Sequence, residues 1–372
     1  MRILHVINSL RPAGAERHLA NLLGPLDALG VENHLLTFVS GNGFEEQVRN
    51  HVRRAEMGVG KRNLAAAVRM AREVDVVHTQ LVFSDIVGRT AAAVAGTPSV
   101  TTVQTSVWAA ENREHVRMGT LRYQATRLAD AATARLAEHH FAVSTKAMRA
   151  YVDGLGVPAD RMEVITNTVD LAEFDPTKGP SREEARAALG FAPDEFAVVA
   201  LARLIPLKAL DDAVRAVSIA SKSRPVRMVI AGEGPEKERL EVLARELRAP
   251  VSFPGRLPAT RVLKGADLFM LPSCYEGMPL SLIEAMAMGV PGLCSNIPEN
   301  TECGGDAAAY AKVRDVDGYA RAIASLAADP ARRAEMSRLG MVRARAFSAD
   351  SVAKRFLEGV ERVLEGWRAR HR

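Results

Sequence analysis

The sequence predicts an α/β protein built as two parallel-sheet domains in succession and closed by one long terminal helix. Three observations predict it. Short apolar runs alternate with helical patterns through both halves, a polar stretch rich in proline and glycine interrupts them near the middle, and helical spacing returns over the last twenty residues. At 372 residues the chain is long enough for two cores of ordinary size.

Residues 2–7, 34–39, 74–78, 99–103, 140–143 and 162–165 read as strands, each short and apolar and bounded by turn formers. Segments 15–29, 64–72, 85–95 and 116–137 read as the helices between them. Strand–helix alternation implies a parallel sheet covered on both faces. Residues 170–194, with Pro176, Gly179, Pro180 and Pro193, read as the connection between domains. Alternation then restarts, with strands at 196–202, 226–231, 251–253, 267–271 and 291–294 and helices at 210–221, 235–247 and 280–288. In the final helix, 351–367, Val352, Phe356, Val360, Val363, Leu364 and Trp367 recur at helical spacing. The expected domains are therefore 1–172, 173–350 and a C-terminal helix 351–372 that returns to the first. Ligands of such sheets sit beyond the carboxyl ends of strands, so two facing sheets would enclose a cleft.

Composition excludes several classes. No apolar run approaches the ~20 residues of a membrane span, and the N-terminal run to Ile7 lacks a signal-peptide pattern. Cys274, Cys294 and Cys303 are odd in number and have no metal spacing, which predicts reduced thiols and a cytoplasmic setting. The net charge of +5 is uneven: residues 1–175 carry 19 Lys+Arg against 19 Asp+Glu, leaving 30 against 25 in the remainder. That excess suits an anionic ligand in the second half. It is too diluted by acids for nucleic acid, and no aromatic–basic platform accompanies it.

The stretch from Ser273 to Pro291 carries the most chemistry. It follows an apolar strand, turns at Gly277 and Pro279, and enters an apolar helix that Gly289 and Pro291 stop. Glu276 in the loop and Glu284 in the helix break the apolar pattern. A buried carboxylate needs donors, and a ligand's diol would supply them; otherwise these two side chains simply face water. The free N–H groups at the helix start offer an anion seat. One place for a phosphate beside two acceptors for hydroxyls fits a nucleotide sugar.

Other loops fall at strand ends of the same sheet. Arg203 leaves the strand 196–202 and Lys208 stands at the mouth of the next helix; the pair either clamps a diphosphate or solvates a loop. Gly232 and Gly234 make a tight turn that would let a nucleotide pass. Arg256 and Leu257 follow Phe253-Pro254-Gly255, where a base would meet backbone atoms. In the first half, Gly14 lets the backbone approach a ligand and Glu16 opens a helix. The absence of G-x-G-x-x-G there argues against a nicotinamide or flavin dehydrogenase.

This order of motifs, with Glu276 and Glu284 separated by seven residues and followed by Met288-Gly-Val-Pro291, resembles the retaining glycosyltransferase family 4 along essentially the whole chain. The resemblance implies the GT-B fold, two Rossmann-like domains facing across a cleft, and metal-independent transfer of a sugar from a nucleoside diphosphate donor, UDP favoured, to an acceptor hydroxyl. It implies that Arg203 and Lys208 hold the diphosphate, Glu276 lies beside the donor sugar, and Glu284 binds the ribose. Gly277, Met278, Pro279 and Leu280 would line the sugar and phosphate site. No cofactor is implied beyond the donor itself.

Departures accompany it. Leu207 and Ala209 stand where the family often has Glu and Gly around its lysine, and Thr168 replaces a usual Gly. Gln104 stands near the strand end where members often carry histidine; it hydrogen-bonds sugars but transfers no proton. With Ser144 and His78 at neighbouring strand ends, Gln104 completes the expected acceptor set, although a strand-end histidine satisfied by a backbone carbonyl is the alternative for His78. Asp315-Val-Asp317 matches a short metal-binding pattern but precedes a helix that an acid would cap, so no metal is predicted. Arg113, Arg117, Arg122, Arg127 and Arg135 decorate the 116–137 segment without a Trp/Phe face, which predicts at most weak peripheral membrane contact. Two rivals remain at this level: a nucleotide-sugar hydrolase or epimerase, and a non-catalytic nucleotide-sugar-binding protein. The donor base and sugar, the acceptor and the oligomeric state are not specified by the sequence.

Overall fold

A computed structural model describes residues 1–40, 43–60, 63–116 and 118–372; Arg117 of the basic segment lies outside them. The chain forms two compact units, Met1–Thr168 with Ser348–Arg372, and Val169–Phe347.

The first unit runs β1 (Arg2–Ile7), α1 (Gly14–Ala28), β2 (Glu32–Thr37), α2 (Glu45–Arg49), β3 (Arg54–Glu56), α3 (Leu64–Ala71), β4 (Val76–Gln80), α4 (Val82–Ala95), β5 (Ser99–Val103), α5 (Thr120–Ala134), β6 (His139–Ala142), α6 (Thr145–Leu155) and β7 (Met162–Val164). The second runs α7 (Arg182–Ala188), β8 (Phe196–Leu201), α8 (Leu210–Ala220), β9 (Val226–Ala231), α9 (Lys237–Glu246), β10 (Val251–Gly255), α10 (Ala259–Lys264), β11 (Leu268–Leu271), α11 (Leu280–Ala287), β12 (Gly292–Ser295), α12 (Pro298–Gly304), β13 (Ala308–Ala311), α13 (Val316–Ala328) and α14 (Pro330–Ala344). The terminal helix α15 (Ala349–Arg370) belongs to the first unit.

Both sheets are parallel and share one order. The first is β3-β2-β1-β4-β5-β6-β7 and the second β10-β9-β8-β11-β12-β13. In each, the chain moves outward one way and then the other, so loops leaving β1 and β4, or β8 and β11, diverge and open a crevice at the carboxyl edge. Those two switch points are where ligand chemistry is sought.

Apolar side chains fill both faces of each sheet. In the first unit Ile3, Val76, Val100 and Phe141 meet Val352, Phe356, Val360 and Leu364 of α15 on one face. Leu4, Val6, Leu36 and Val77 meet α3 and α4 on the other. In the second unit Val198, Met228, Ile230, Leu268 and Met270 pack under α8 and α13. A buried ionic knot sits beside β5: Arg89 of α4 donates to Asp130 of α5 at 2.7 Å and to Thr101 at 2.8 Å, while the Trp108 indole donates to Asp130 at 2.7 Å. Burial pushes the nearby Asp85 carboxyl up to about 7, against the pull of Arg89.

Several elements differ from expectation. β3 and β13 lack the apolar, β-branched signature of a strand and are recruited by pairing with β2 and β12. The connecting stretch contains α7, fixed by a capping box between Ser181 and Glu184. The basic segment becomes a 3₁₀ turn, Ala110–His115, followed by α5, because Gly119 delays the α-helix to Thr120.

Candidate active site

In the second unit, backbone ties rather than side chains first bring the predicted residues together. After β8 the chain is stitched to the turn that follows β9: Leu204 N–H donates to Glu233 O at 2.8 Å, and Glu236 N–H donates to Leu204 O at 3.0 Å. A side chain on Gly232 would place its Cβ 1.9 Å from Ala202 O, and one on Gly234 would lie 2.3 Å from Leu204 O. The glycines therefore admit the Arg203 loop.

The Arg203 loop continues into a 3₁₀ turn, Pro206–Lys208, and Cys274 N–H donates to Leu207 O at 2.9 Å. That bond joins the loops leaving β8 and β11, which are neighbours in the sheet. Ser295 Oγ anchors the second loop from below by donating to Ser273 O at 2.6 Å, and Asn300 Nδ2 donates in turn to Ser295.

On this frame Lys208 Nζ donates to Glu276 Oε1 at 2.6 Å. Both side chains are largely buried, 15% and 10% exposed, so the pair is shielded from water. An ammonium has three N–H groups, so a lysine held by one carboxylate keeps donors for a phosphate. Arg203 is exposed, and no carboxylate among the described residues pairs with it. Burial raises the Tyr275 hydroxyl above its ordinary pKa; the Glu276 carboxylate adds to the rise and Arg203 opposes it. Arg203, Tyr275 and Glu276 thus share one electrostatic neighbourhood. Tyr275 carried no signal of its own in the sequence.

Pro279 precedes α11, whose first turn contains no acid, so the positive end of the helix is unopposed. Gly277 is partly exposed and Met278 buried, and Leu280 opens the helix. Glu284 lies one turn further along, partly exposed and engaged in a polar or electrostatic contact of its own. Arg256 is exposed and Leu257 partly exposed beyond β10, where Gly232 N–H donates to Gly255 O at 2.8 Å. Asp315 caps α13 by accepting from Gly318 N–H at 2.8 Å. Cations and a bare helix start beside acids that accept hydroxyl protons can hold a diphosphate and its sugars.

In the first unit Gly14 is exposed and opens α1. Two acceptor expectations are corrected. His78 is completely buried, its ring nitrogens are taken by His5 at 2.9 Å and Thr102 at 2.8 Å, and its ring packs on Phe356 at 4.7 Å. Ser144 is buried, and its hydroxyl caps α6 by accepting from Ala147 N–H at 3.2 Å. Only Gln104 of that set is partly exposed, with its amide bonded to Gln80.

Comparison with known proteins agrees with this arrangement. The profile of Glycosyltransferase Family 4 matches residues 12–173, and that of Glycosyl transferases group 1 matches residues 181–341. The chain is 31% identical over 312 residues to a D-inositol 3-phosphate glycosyltransferase of Acidothermus cellulolyticus, covering 79% of this chain and 68% of that one. A UDP-Gal:alpha-D-GlcNAc-diphosphoundecaprenol alpha-1,3-galactosyltransferase of Escherichia coli is 29% identical over 239 residues, 61% of this chain and 59% of that one. Among solved structures, Anabaena Alr3699/HepE in complex with UDP and glucose superposes with a TM-score of 0.84 at 20% identity, covering 97% of this chain and 99% of that one. Sucrose-phosphate synthase of Thermosynechococcus elongatus gives 0.79 at 18% identity, covering 98% and 100%. Two parallel sheets carrying these loops, and the matches along both halves, place the chain in the family 4, group 1 glycosyltransferases of the GT-B fold: it is a glycosyltransferase.

Proposed function

We propose that the protein transfers a sugar from a UDP-sugar to an acceptor hydroxyl with retention at the anomeric carbon and without a metal ion. The observation that carries this reading is the Lys208–Glu276 contact at the switch point of the second sheet, beside exposed Arg203 and the unopposed start of α11. Arg203, Lys208 and the helix start supply the positive charge that a departing diphosphate needs. Glu276 receives hydroxyls of the donor sugar, and Glu284 receives the ribose diol. An oxygen of the leaving phosphate remains on the face it departs from and takes the acceptor's proton, which removes the need for a protein acid–base pair. The UDP preference draws support from HepE, whose structures contain UDP and UDP-glucose. The acceptor is a soluble small molecule or a cell-envelope glycan; no helix among the described residues is long and apolar enough to cross a membrane. Three free cysteines fit a cytoplasmic setting.

The test is a mass-spectrometric screen of nucleotide sugars against acceptor pools in the presence of chelator, following UDP release, with the anomeric configuration of the product read by NMR. Arg203→Ala should lower turnover by about 10²–10³-fold with an unchanged melting temperature, because the side chain is exposed and carries no ion pair. Near-normal turnover would remove Arg203 from the diphosphate site. Donor consumption without a glycosylated product would instead indicate hydrolysis.

A further inference from the structure

At the switch point of the first sheet, one buried amide lacks a partner. Gln80 ends β4 with 1% of its surface exposed; its Oε1 accepts from Gln104 Nε2 at 3.0 Å, and its own Nε2 has no hydrogen-bond partner among the described residues. Below it on the same sheet face, the column is satisfied: His5, His78 and Thr102 bond to one another in sequence. The residue after Gln80, Leu81, takes φ 75° and ψ 134°, a conformation rarely held by a residue with a side chain. The first turn of α4, which follows at once, is fixed to the loop leaving β1, since Ser84 Oγ donates to Asn8 Oδ1 at 2.7 Å. A donor buried without a partner bears its full desolvation penalty, which a methionine of similar shape would avoid. The crevice of a sheet of this order lies at its switch point.

We infer that the Gln80–Gln104 amide pair receives a hydroxyl of a sugar or cyclitol ring, which accepts from one amide N–H and donates to the other amide carbonyl. This rests on the acceptor side of the function proposed above and narrows it to a ring read through neutral hydroxyls at this point. With one amide donating to the other, the pair has three N–H groups and three carbonyl lone pairs left over, so donors and acceptors remain in equal number. Exchanging N and O in both amides leaves that sum unchanged. A hydroxyl matches it because it both donates and accepts, whereas a phosphate oxygen only accepts and meets the carbonyl unfavourably. Glutamine does not titrate, so recognition here is independent of pH. Gln104 touches the ligand from the partly exposed side, and Gln80 supplies the buried half.

The test uses the full chain, saturation-transfer NMR with methyl α-glycosides of glucose, mannose and galactose and with myo-inositol, each with and without UDP. Calorimetry of UDP on the same samples reads the donor site separately. The wild-type protein should transfer saturation to at least one ring, inorganic phosphate should not displace it, and Gln80→Met and Gln104→Met should reduce the signal at least tenfold with UDP affinity unchanged. Gln80→Met should also melt at the same temperature as the wild type or higher, because it removes an unsatisfied donor. The inference is overturned if no ring receives saturation, if either variant binds as well as wild type, if phosphate displaces the ring, or if Gln80→Met melts lower. Loss of UDP binding in the wild type would sink the donor assignment alone, because ring binding is also measured without it. Gln104→Met, at a partly exposed position, keeps the test available if the Gln80 variant fails to fold.

Discussion

Ala209 follows Lys208 with φ 48° and ψ 38°, the left-handed region that glycine occupies without strain. That geometry explains the glycine often found at this place in the family, and this chain bears the strain on a fully buried alanine. Holding a side chain there costs about 1–2 kcal/mol. Ala209→Gly would relieve it but lose a buried methyl and gain unfolded-chain freedom, each worth roughly 0.5–1 kcal/mol, so it should fall within about 1 kcal/mol of wild type. Ala209→Val adds crowding and β-branching and should cost more than about 2 kcal/mol. Urea midpoints for the two variants decide it; equal midpoints would mean that the turn relaxes. The buried histidines set a second expectation. Burial lowers His5 and His18 to about 4 and His140 to about 3, while His78 is lowered by burial with His5 and His18 adding to it. Each is neutral in the folded chain, so its contribution is complete above pH 6.5 and is lost as the pH falls through the folded value. A shift from 6.5 to about 4 corresponds to roughly 3 kcal/mol. Asp85, raised to about 7, acts in the opposite direction, since its neutral form is favoured and stability drops as the pH rises from 4 to 7. The histidines outnumber it, so the urea midpoint should be lower at pH 5 than at pH 7.5; a flat profile would contradict this account.

At the scale of elements, the strands that read most plainly were those whose sequence alone demands burial. Val226–Ala231 and Ser99–Val103 have their expected bounds, whereas β3 and β13 owe their strand conformation to a neighbour's hydrogen bonds. No local pattern announces such pairing. The charged loops after β8 and β11 stand out in the sequence because each follows a strong apolar strand and carries charge where the pattern predicts burial. The sequence could not reveal how they are joined. Gly232 and Gly234 read as openings for a ligand, and their missing Cβ atoms also leave room for the carbonyls of Ala202 and Leu204. The acceptor side was less legible for a related reason. His78 lies on a strand that ends at the switch point, and nothing local says that it is sealed beneath a helix. The distant α15 decides it, since Phe356 covers His78.

At the scale of the molecule, α15 is part of the first unit's core although the whole second unit separates it from β7 in sequence. Phe356 is 2% exposed and touches Phe141 with ring centroids 5.1 Å apart. Phe356→Ala should therefore destabilise the first unit by about 3–5 kcal/mol, seen as an earlier transition on heating; an unshifted transition would show that α15 is dispensable. The same arrangement dictates an order of assembly on the ribosome. The N-terminal sheet emerges first but waits with Ile3, Val76, Val100 and Phe141 covered only in part, by Leu22 and Leu26 of α1, while residues Val169–Phe347 are made and fold. Only when Ser348–Arg372 has left the exit tunnel can the earliest-made strands be fully sealed. The lobe begun first is therefore completed only after the second, and a chain released before α15 would carry a partly open greasy sheet rather than a merely shortened tail.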